Sequence, residues 1–167
     1  MNAVTLARMC CLTLVTATAS AACRSRPTAA VTEPDSTAIH TAIEASWRAM
    51  MAGARSLDPE RVRAGYVERP VVAVNGRIVD DYDRDQFDGT RRWLRSLQKL
   101  DASYDQVHVQ VLSPTAAVAT MMHHLRWIDS AGMSGEWNSA WTAVFRAENG
   151  RWRVAYAHES TAEPVGP

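Results

Sequence analysis

Apolar residues recur every three or four positions in the first part of the chain that has a regular pattern. Asp35 or Ser36 is placed to cap the helix that this spacing predicts. A second, short helix is predicted after Asp58, because Pro59 suits the first position of a helix. The residues of the first stripe, which we expect to face the core, are Ile39, Ile43, Trp47, Met50, Met51 and Ala54.

Turn and cap signals follow in the middle of the chain. Asn75 and Gly76 separate two β-branched runs, which predicts a short hairpin. Asp83 and Gln86 resemble the capping pair of a third helix. The residues of that segment expected to face the core are Phe87, Leu94 and Leu97.

From Ala102 onward the apolar positions change to the alternation of β-strands. Four long antiparallel strands are predicted at Val107 to Val111, Ala116 to Ile128, Trp137 to Ala147 and Arg151 to Ser160. The predicted fold class is α+β, with three helices packed on a strongly curved antiparallel sheet that forms a cone with an interior pocket.

Asn149 and Gly150 predict a two-residue turn between the last two strands. Counting outward from a regular turn pairs Phe145 with Val154, Ala143 with Tyr156 and Trp141 with His158, and places this aromatic face toward the helices. The opposite face is predicted to pair with a second copy in a homodimer. Its expected members are Thr142, Val144, Ala155 and Ala157.

The first 22 residues have the pattern of a secretory signal peptide, with a basic start and a short apolar run. Ordinary cleavage after Ala21 and lipoprotein processing before Cys23 are both compatible with the sequence. We favour lipidation, because Cys23 is the one cysteine left in the exported product. The predicted organisation is a signal peptide at 1–22, a tether at 23–35, the domain at 36–162 and a tail at 163–167, in an exported protein that is lipid-anchored or periplasmic.

Charge and composition exclude several kinds of partner. The 18 basic and 18 acidic residues give a formal net charge of zero, so no nucleic-acid surface is predicted. His123 and His124 are adjacent in a predicted strand and point to opposite faces, so they cannot share a metal ion. No metal and no cofactor is predicted.

The closing hairpin resembles that of the nuclear-transport-factor-like superfamily, also described as SnoaL-like or cystatin-like. In its bacterial stand-alone branch, and in the association domain of calcium/calmodulin-dependent kinase II, a turn glycine is followed by tryptophan, histidine and serine at the spacing of Gly150, Trp152, His158 and Ser160. The preceding strand is also similar to the pocket strand of that association domain, including the loop residues Asp129 and Gly132.

The resemblance implies a cone-shaped α+β fold, which in this superfamily serves isomerases, cyclases, dehydratases, hydrolases and non-enzymatic binding or assembly modules. The isomerases of the family usually take a tyrosine from the first helix, and the predicted first helix has none. The association domain has a basic pocket, whereas the matching positions here are His123, Ala143 and Glu159. A carboxylate ligand of that kind is therefore not implied.

The candidate site residues follow from the predicted inner face of the sheet. The expected lining of the pocket is His123, Trp127, Trp141, Tyr156 and His158. For an enzyme, an acid/base pair would come from His123, His158, Tyr82 and Asp80 or Asp81. The acidic group that also includes Asp83, Asp85 and Asp88 is better explained by turns and helix caps.

The sequence leaves two functional hypotheses open. A third hypothesis is that the cone is filled and binds no ligand. The leading hypothesis is binding of a small apolar or mixed-polarity ligand, or dimeric assembly, without catalysis. The alternative is a small-molecule isomerase, dehydratase or hydrolase with its acid/base pair inside the cone. A structural dimer with a filled cone is the third possibility.

Overall fold

The computed structural model describes residues 33–79 and 81–161. The predicted signal peptide, Cys23, Asp80 and residues 162–167, which include the predicted tail at 163–167, lie outside the described residues. The elements are α1 (Glu33–Arg55), α2 (Pro59–Arg63), β1 (Tyr66–Val74), β2 (Arg77–Val79), a π-helical segment (Tyr82–Phe87), α3 (Asp88–Arg95), β3 (Leu97–Ser113), β4 (Ala116–Asp129), β5 (Ser134–Glu148) and β6 (Arg151–Thr161).

The α+β class and the three helices are confirmed, but the sheet is mixed and not purely antiparallel. Its order is β2-β1-β6-β5-β4-β3, and the sheet is not closed. β1 runs parallel to β6, with Val71 beside Tyr156, while every other neighbouring pair is antiparallel. The Asn75-Gly76 turn fixes the β1–β2 hairpin as predicted, but a local turn carries no information on which distant strand β1 joins.

Helix α1 lies on one face of the sheet and buries all six residues of the predicted stripe. Ala117, Ala119 and Ala143 are fully buried beneath the helices, where their small side chains allow close packing. Two hydrogen bonds tie α1 to separated strands. Ser46 donates to the carbonyl oxygen of Trp152 at 2.7 Å, and Arg55 donates to that of Ala102 at 2.6 Å. In the described part of the chain, no helix is long and apolar enough to cross a membrane.

The helix caps agree with the sequence at α2 and differ from it at α1 and before α3. Helix α1 begins at Glu33, so the predicted caps Asp35 and Ser36 lie inside it. Asp58 accepts hydrogen bonds from two backbone N–H groups, and Pro59 opens α2, as predicted. The predicted cap at Asp83 is wrong, because Asp81 accepts from the backbone N–H of Arg84 and starts the π-helical segment. The carboxylate of Asp83 instead contacts Arg63 at 2.5 Å. Leu97 is buried as expected but begins β3.

The last hairpin follows the predicted register near its turn and departs from it farther away. Asn149 and Gly150 have φ values of 52° and 73°, and Phe145 pairs with Val154 as predicted. A bulge between Val144 and Phe145 then shifts β6 by one residue. The predicted pairs of Trp141 with His158 and Ala143 with Tyr156 are therefore wrong. The observed partners are Glu159 and Ala157, respectively.

The shift exchanges the two faces of the outer half of β6. Ala157 was expected on the outer face but is 1% exposed and belongs to the core. Tyr156 and His158, expected inside, are exposed. Glu159 lies on the inner face instead of these two residues. The bulge therefore places a carboxylate at the site described below.

Candidate functional site

A cavity of about 160 Å³ lies between the helices and the inner face of the sheet. We call it the α1 cavity. Its aromatic lining consists of Trp47, Trp93, Trp137, Trp141, Tyr66 and Tyr82, with methionine, leucine and valine side chains between them. An engineered apolar cavity of about 150 Å³ holds a benzene molecule, so this volume suits a group the size of one six-membered ring.

A chain of three polar side chains crosses the inner face at the edge of this cavity. Ser139 on β5 donates a hydrogen bond of 2.7 Å to Oε1 of Glu159 on β6. The same Oε1 lies 3.8 Å from Nδ1 of His123 on β4, which pairs directly with Ser139. Only 12% of the His123 side chain and 20% of that of Glu159 are exposed. His123 and Glu159 both line the α1 cavity, so an imidazole and a carboxylate face its interior together.

Two tyrosines from different elements meet at another part of the lining. The rings of Tyr66, which begins β1, and Tyr82, which begins the π-helical segment, have centroids 4.7 Å apart. Burial raises the pKa of Tyr66 to about 12. Burial, and the neighbouring Tyr66, raise the pKa of Tyr82 well above its ordinary value. Both phenols therefore keep their protons at neutral pH and can serve as hydrogen-bond donors.

The π-helical segment has a geometric role in placing Tyr82. Arg63 lies 5.5 Å from the centre of the Tyr82 ring and also donates to the backbone carbonyl oxygens of Val67 and Glu68. Together with its contact to Asp83, these bonds fix α2, β1 and the π-helical segment to one another. Tyr82 and Gln86 consequently both reach the α1 cavity.

Three buried nitrogen atoms on residues that line the α1 cavity have no hydrogen-bond partner within the described protein. They are Nε1 of Trp47, Nε1 of Trp137 and Nε2 of His123. Buried polar groups in native proteins are nearly always paired, and an unmet donor costs about 1–3 kcal/mol. All three nitrogens belong to residues that line the α1 cavity, and the two indole nitrogens can only donate a hydrogen bond.

The structure brings together some of the predicted pocket residues and separates others. His123 and Trp141 line the α1 cavity, and so does the acid/base candidate Tyr82. Tyr156, which is 38% exposed, and His158 lie on the outer face of the sheet because of the β6 bulge.

Trp127 lies farther along β4, away from the lining of the α1 cavity. Its ring contacts Trp93 with centroids 5.9 Å apart and covers Gly135. It borders a surface depression together with Lys99 and Glu136.

Sequence reasoning missed several residues of the lining. The regular register places Glu159 on the wrong face, although Glu159 occupies a pocket position in the family resemblance. Trp47 is correctly predicted as a core residue, but nothing in the helical stripe indicates that it also lines a cavity. Tyr66 follows α2 without any motif, and its role depends on the parallel pairing of β1 with β6.

The acidic residues around Tyr82 have the local roles that their turn positions indicate. Asp81 caps the π-helical segment, and Asp83 pairs with Arg63. Asp85 pairs with Arg84, and Asp88 pairs with Arg91. Within residues 33–79 and 81–161, no group of three His, Cys, Asp or Glu side chains is arranged to hold a metal ion.

Sequence comparison identifies the family of this chain. Residues 43–164 match the SnoaL-like domain. The chain belongs to the SnoaL-like domain family. A comparison with curated protein sequences gives no significant match.

Solved structures share the fold of this SnoaL-like domain at low sequence identity. A protein assigned as scytalone dehydratase from Novosphingobium aromaticivorans has 13% identity and a TM-score of 0.68, and the match covers 79% of this chain and 89% of that one. A nuclear transport factor 2-like superfamily protein from Salmonella enterica has 14% identity and a TM-score of 0.67, with 78% and 96% covered.

A further structural neighbour is assigned as an association domain of the kind that the closing hairpin resembles. A protein from Xanthomonas campestris, assigned as a calcium/calmodulin-dependent kinase II association domain, has 18% identity and a TM-score of 0.62, with 74% of this chain and 87% of that one covered. The predicted membership of the nuclear-transport-factor-like, cystatin-like fold is thus confirmed. At such identities the likeness concerns the fold alone.

Proposed function

We propose that this SnoaL-like domain binds a small organic molecule in the α1 cavity. The observation that carries the proposal is the placement of three unpartnered nitrogens, from Trp47, Trp137 and His123, on the lining of one aromatic cavity. A ligand that accepts hydrogen bonds from the two indole N–H groups and pairs with Nε2 of His123 would remove the cost of leaving these atoms unpaired, while its apolar part would contact the rings.

The binding proposal is tested with a panel of ring-sized compounds. Native mass spectrometry of the full chain, purified without additions, would be followed by identification of any retained molecule. Thermal unfolding with compounds that carry or lack an acceptor oxygen gives the second measurement, because a ligand at about 100 times its Kd stabilises the folded state by about 2.7 kcal/mol. No retained molecule and no shift of Tm across the panel would contradict the proposal.

A matched pair of variants locates any binding. Trp137→Phe keeps an aromatic ring in the cavity lining and removes the indole N–H, so it should weaken binding of compounds with an acceptor oxygen. Trp127→Phe makes the same change outside the cavity lining and should leave binding unchanged. Equal effects of the two substitutions would argue against the α1 cavity as the binding site.

A second candidate function, acid–base catalysis, is supported by the position of His123 next to Glu159. Nε2 of His123 would take a proton from a carbon beside a carbonyl group, and Glu159 would stabilise the imidazolium through Nδ1. Tyr66 or Tyr82, both protonated, would donate to the developing enolate oxygen. Abstraction of this proton is a step in isomerisation and dehydration reactions. One structural neighbour is assigned as a dehydratase.

Hydrogen exchange separates catalysis from binding. With cyclohexanone as the probe in deuterated buffer, nuclear magnetic resonance measures the exchange of protons on the carbons beside the carbonyl. The wild-type protein should accelerate this exchange, His123→Gln should abolish the acceleration, and His158→Gln on the outer face should retain it. A wild-type rate equal to that of buffer alone would reject catalysis, and an acceleration retained by His123→Gln would reject His123 as the base; both outcomes leave the binding proposal intact.

We also propose that the protein is exported and anchored through a lipid on Cys23. The signal-like leader and the lone remaining cysteine support this proposal. Expression of the full chain in a bacterium fed labelled palmitate should give a labelled protein in the membrane fraction. Cys23→Ser should remove the label, and a wild-type protein with an unmodified N-terminus after ordinary cleavage would contradict the proposal.

Homodimer formation through the outer face of the sheet is the remaining part of the proposal. A row of partly exposed apolar residues, Val118, Val144, Tyr156 and Val71, follows the register across β4, β5, β6 and β1. Light scattering at micromolar concentration should give the mass of two chains. Val144→Arg should halve this mass, Thr41→Arg on the exposed side of α1 should not, and a wild-type monomer would contradict the proposal.

A further inference from the structure

The described lining of the α1 cavity has one negatively charged side chain and no permanently positive one. Among the described residues that line it, Glu159 is the one carboxylate, and none is a lysine or an arginine. The imidazole of His123 is charged only when it is protonated. A carboxylate shielded from water is costly unless a cation or several hydrogen bonds compensate it.

The protein contacts to the Glu159 carboxylate engage one of its two oxygen atoms. Both the hydrogen bond from Ser139 and the approach of His123 engage Oε1. In the described structure, neither contact engages Oε2. One oxygen atom of the single carboxylate therefore remains for a ligand in the α1 cavity.

The aromatic part of the lining also favours a positively charged ligand. Trp47 and Trp141 pack with ring centroids 4.2 Å apart, and Trp93, Trp137, Tyr66 and Tyr82 complete the aromatic surface. The faces of aromatic rings carry partial negative charge, and they attract an organic cation within about 6 Å of a ring centroid. An anion would meet this surface and Glu159 together without any permanent cation to offset them.

We propose that the ligand of the α1 cavity is a small organic cation with an alkylated ammonium group, its charge beside Glu159 and its methyl groups against the aromatic rings. The inference rests on the proposed binding function and names the ligand class. The volume of about 160 Å³ suits one such headgroup with a short substituent. An oxygen atom on that substituent would provide the acceptor that the indole N–H groups of Trp47 and Trp137 lack.

A charge series on one molecular shape tests the inference. The probes are choline, its neutral carbon analogue neohexanol, and the anion tert-butylacetate, each titrated calorimetrically into the full chain. Choline should bind at least about tenfold more tightly than neohexanol, and tert-butylacetate should bind more weakly than both.

Each pattern of affinities has a distinct meaning. If neohexanol binds as tightly as choline or more tightly, the cation inference is overturned while the binding proposal stands. Binding of tert-butylacetate in preference to choline would likewise overturn the inference. If no probe binds and the retained-ligand and Tm experiments are also negative, the binding proposal fails together with the inference.

Two glutamate variants assign the charge preference to one residue. Glu159→Gln keeps the shape of the side chain and should reduce the preference for choline over neohexanol to less than about twofold. Glu136→Gln, on the exposed part of β5, should leave the preference unchanged. Because the measurement is a ratio between two probes on one protein, a general loss of stability does not imitate the result. A preference that survives Glu159→Gln would overturn the assignment.

Discussion

The hydroxyl group of Ser139 donates a 2.7 Å hydrogen bond to Oε1 of Glu159 and thereby joins β5 to β6 on the inner face of the sheet. Ser139 is 1% exposed, and it is the buried polar residue of the described core. The donor is therefore shielded from water, and the bond holds the partly exposed carboxylate at the edge of the α1 cavity.

Ser139→Ala should consequently destabilise the folded protein. Hydrogen bonds to charged groups contribute about 1.5–3 kcal/mol, and removal of this donor leaves Glu159 with less compensation for burial. Urea denaturation followed by tryptophan fluorescence should show a loss in that range. Ser103→Ala, at an exposed position of β3, is the control and should stay within about 0.5 kcal/mol of wild type. An equally small change for Ser139→Ala would mean that the bond does not stabilise the fold.

The β6 bulge predicts opposite tolerances at two adjacent positions. Ala157→Asp would bury a second carboxylate close to Glu159 and should destabilise the protein by more than about 3 kcal/mol. His158→Asp, on the exposed outer face, should change stability by less than about 0.5 kcal/mol. Thermal unfolding measures both. The regular register predicts the reverse ranking, so a tolerated Ala157→Asp with a damaging His158→Asp would exclude the bulge.

This bulge also marks where reasoning from the sequence fails. Turn chemistry at Asn149 and Gly150 correctly fixes the pairs up to Phe145 with Val154, because a two-residue turn leaves one register. Beyond that point, Ala155 and Ala157 are small enough for either face, and alternation alone cannot reveal one extra residue. The aromatic and charged residues after Ala155 were therefore placed on the wrong sides.

Local signals predicted parts of the helical region correctly, although the capping pair at Asp83 and Gln86 was wrong. The stripe on α1 and the cap of α2 depend on spacing and on single residue types, and both were predicted correctly. The parallel pairing of β1 with β6, which brings Tyr66 to the cavity, depends on a contact between distant segments and has no local signal. The residues of the candidate site that were missed all depend on such long-range placement or on the bulge.

Two glycines, one packed against α1 and one in α3, provide a test of packing. A Cβ atom added at Gly65 would overlap the side chain of Met50, which is 2% exposed and would have to leave its conformation. Gly65→Ala should therefore destabilise the protein by about 1–3 kcal/mol. A Cβ at Gly89 in α3 would meet nothing within 4 Å, so Gly89→Ala should stabilise the helix by about 0.5–1 kcal/mol. Equilibrium unfolding in urea measures the change in the free energy of unfolding for both variants. A Gly65→Ala variant more stable than wild type would contradict the close packing.

The ion pair between Arg63 and Asp83 should contribute stability in a defined pH range. The hydrogen bond from Arg63 holds the pKa of Asp83 below its ordinary value. Because the unfolded carboxyl has a pKa of about 3.9, the contribution is present above that pH and is lost as the pH falls through the lower folded-state pKa. The side chain of Asp83 is 57% exposed, so the contribution should be at most about 1 kcal/mol.

Comparison of wild type with Asp83→Asn in urea, at a series of pH values, measures this contribution. The difference in free energy of unfolding should be constant from neutral pH down to about pH 5 and should shrink below about pH 4, where protonation begins to remove the folded-state advantage. In an Arg63→Met background, Asp83→Asn should no longer produce this pH-dependent difference, since the source of the lowered pKa is gone. A difference that persists unchanged in that background would show that another group, and not Arg63, stabilises the carboxylate.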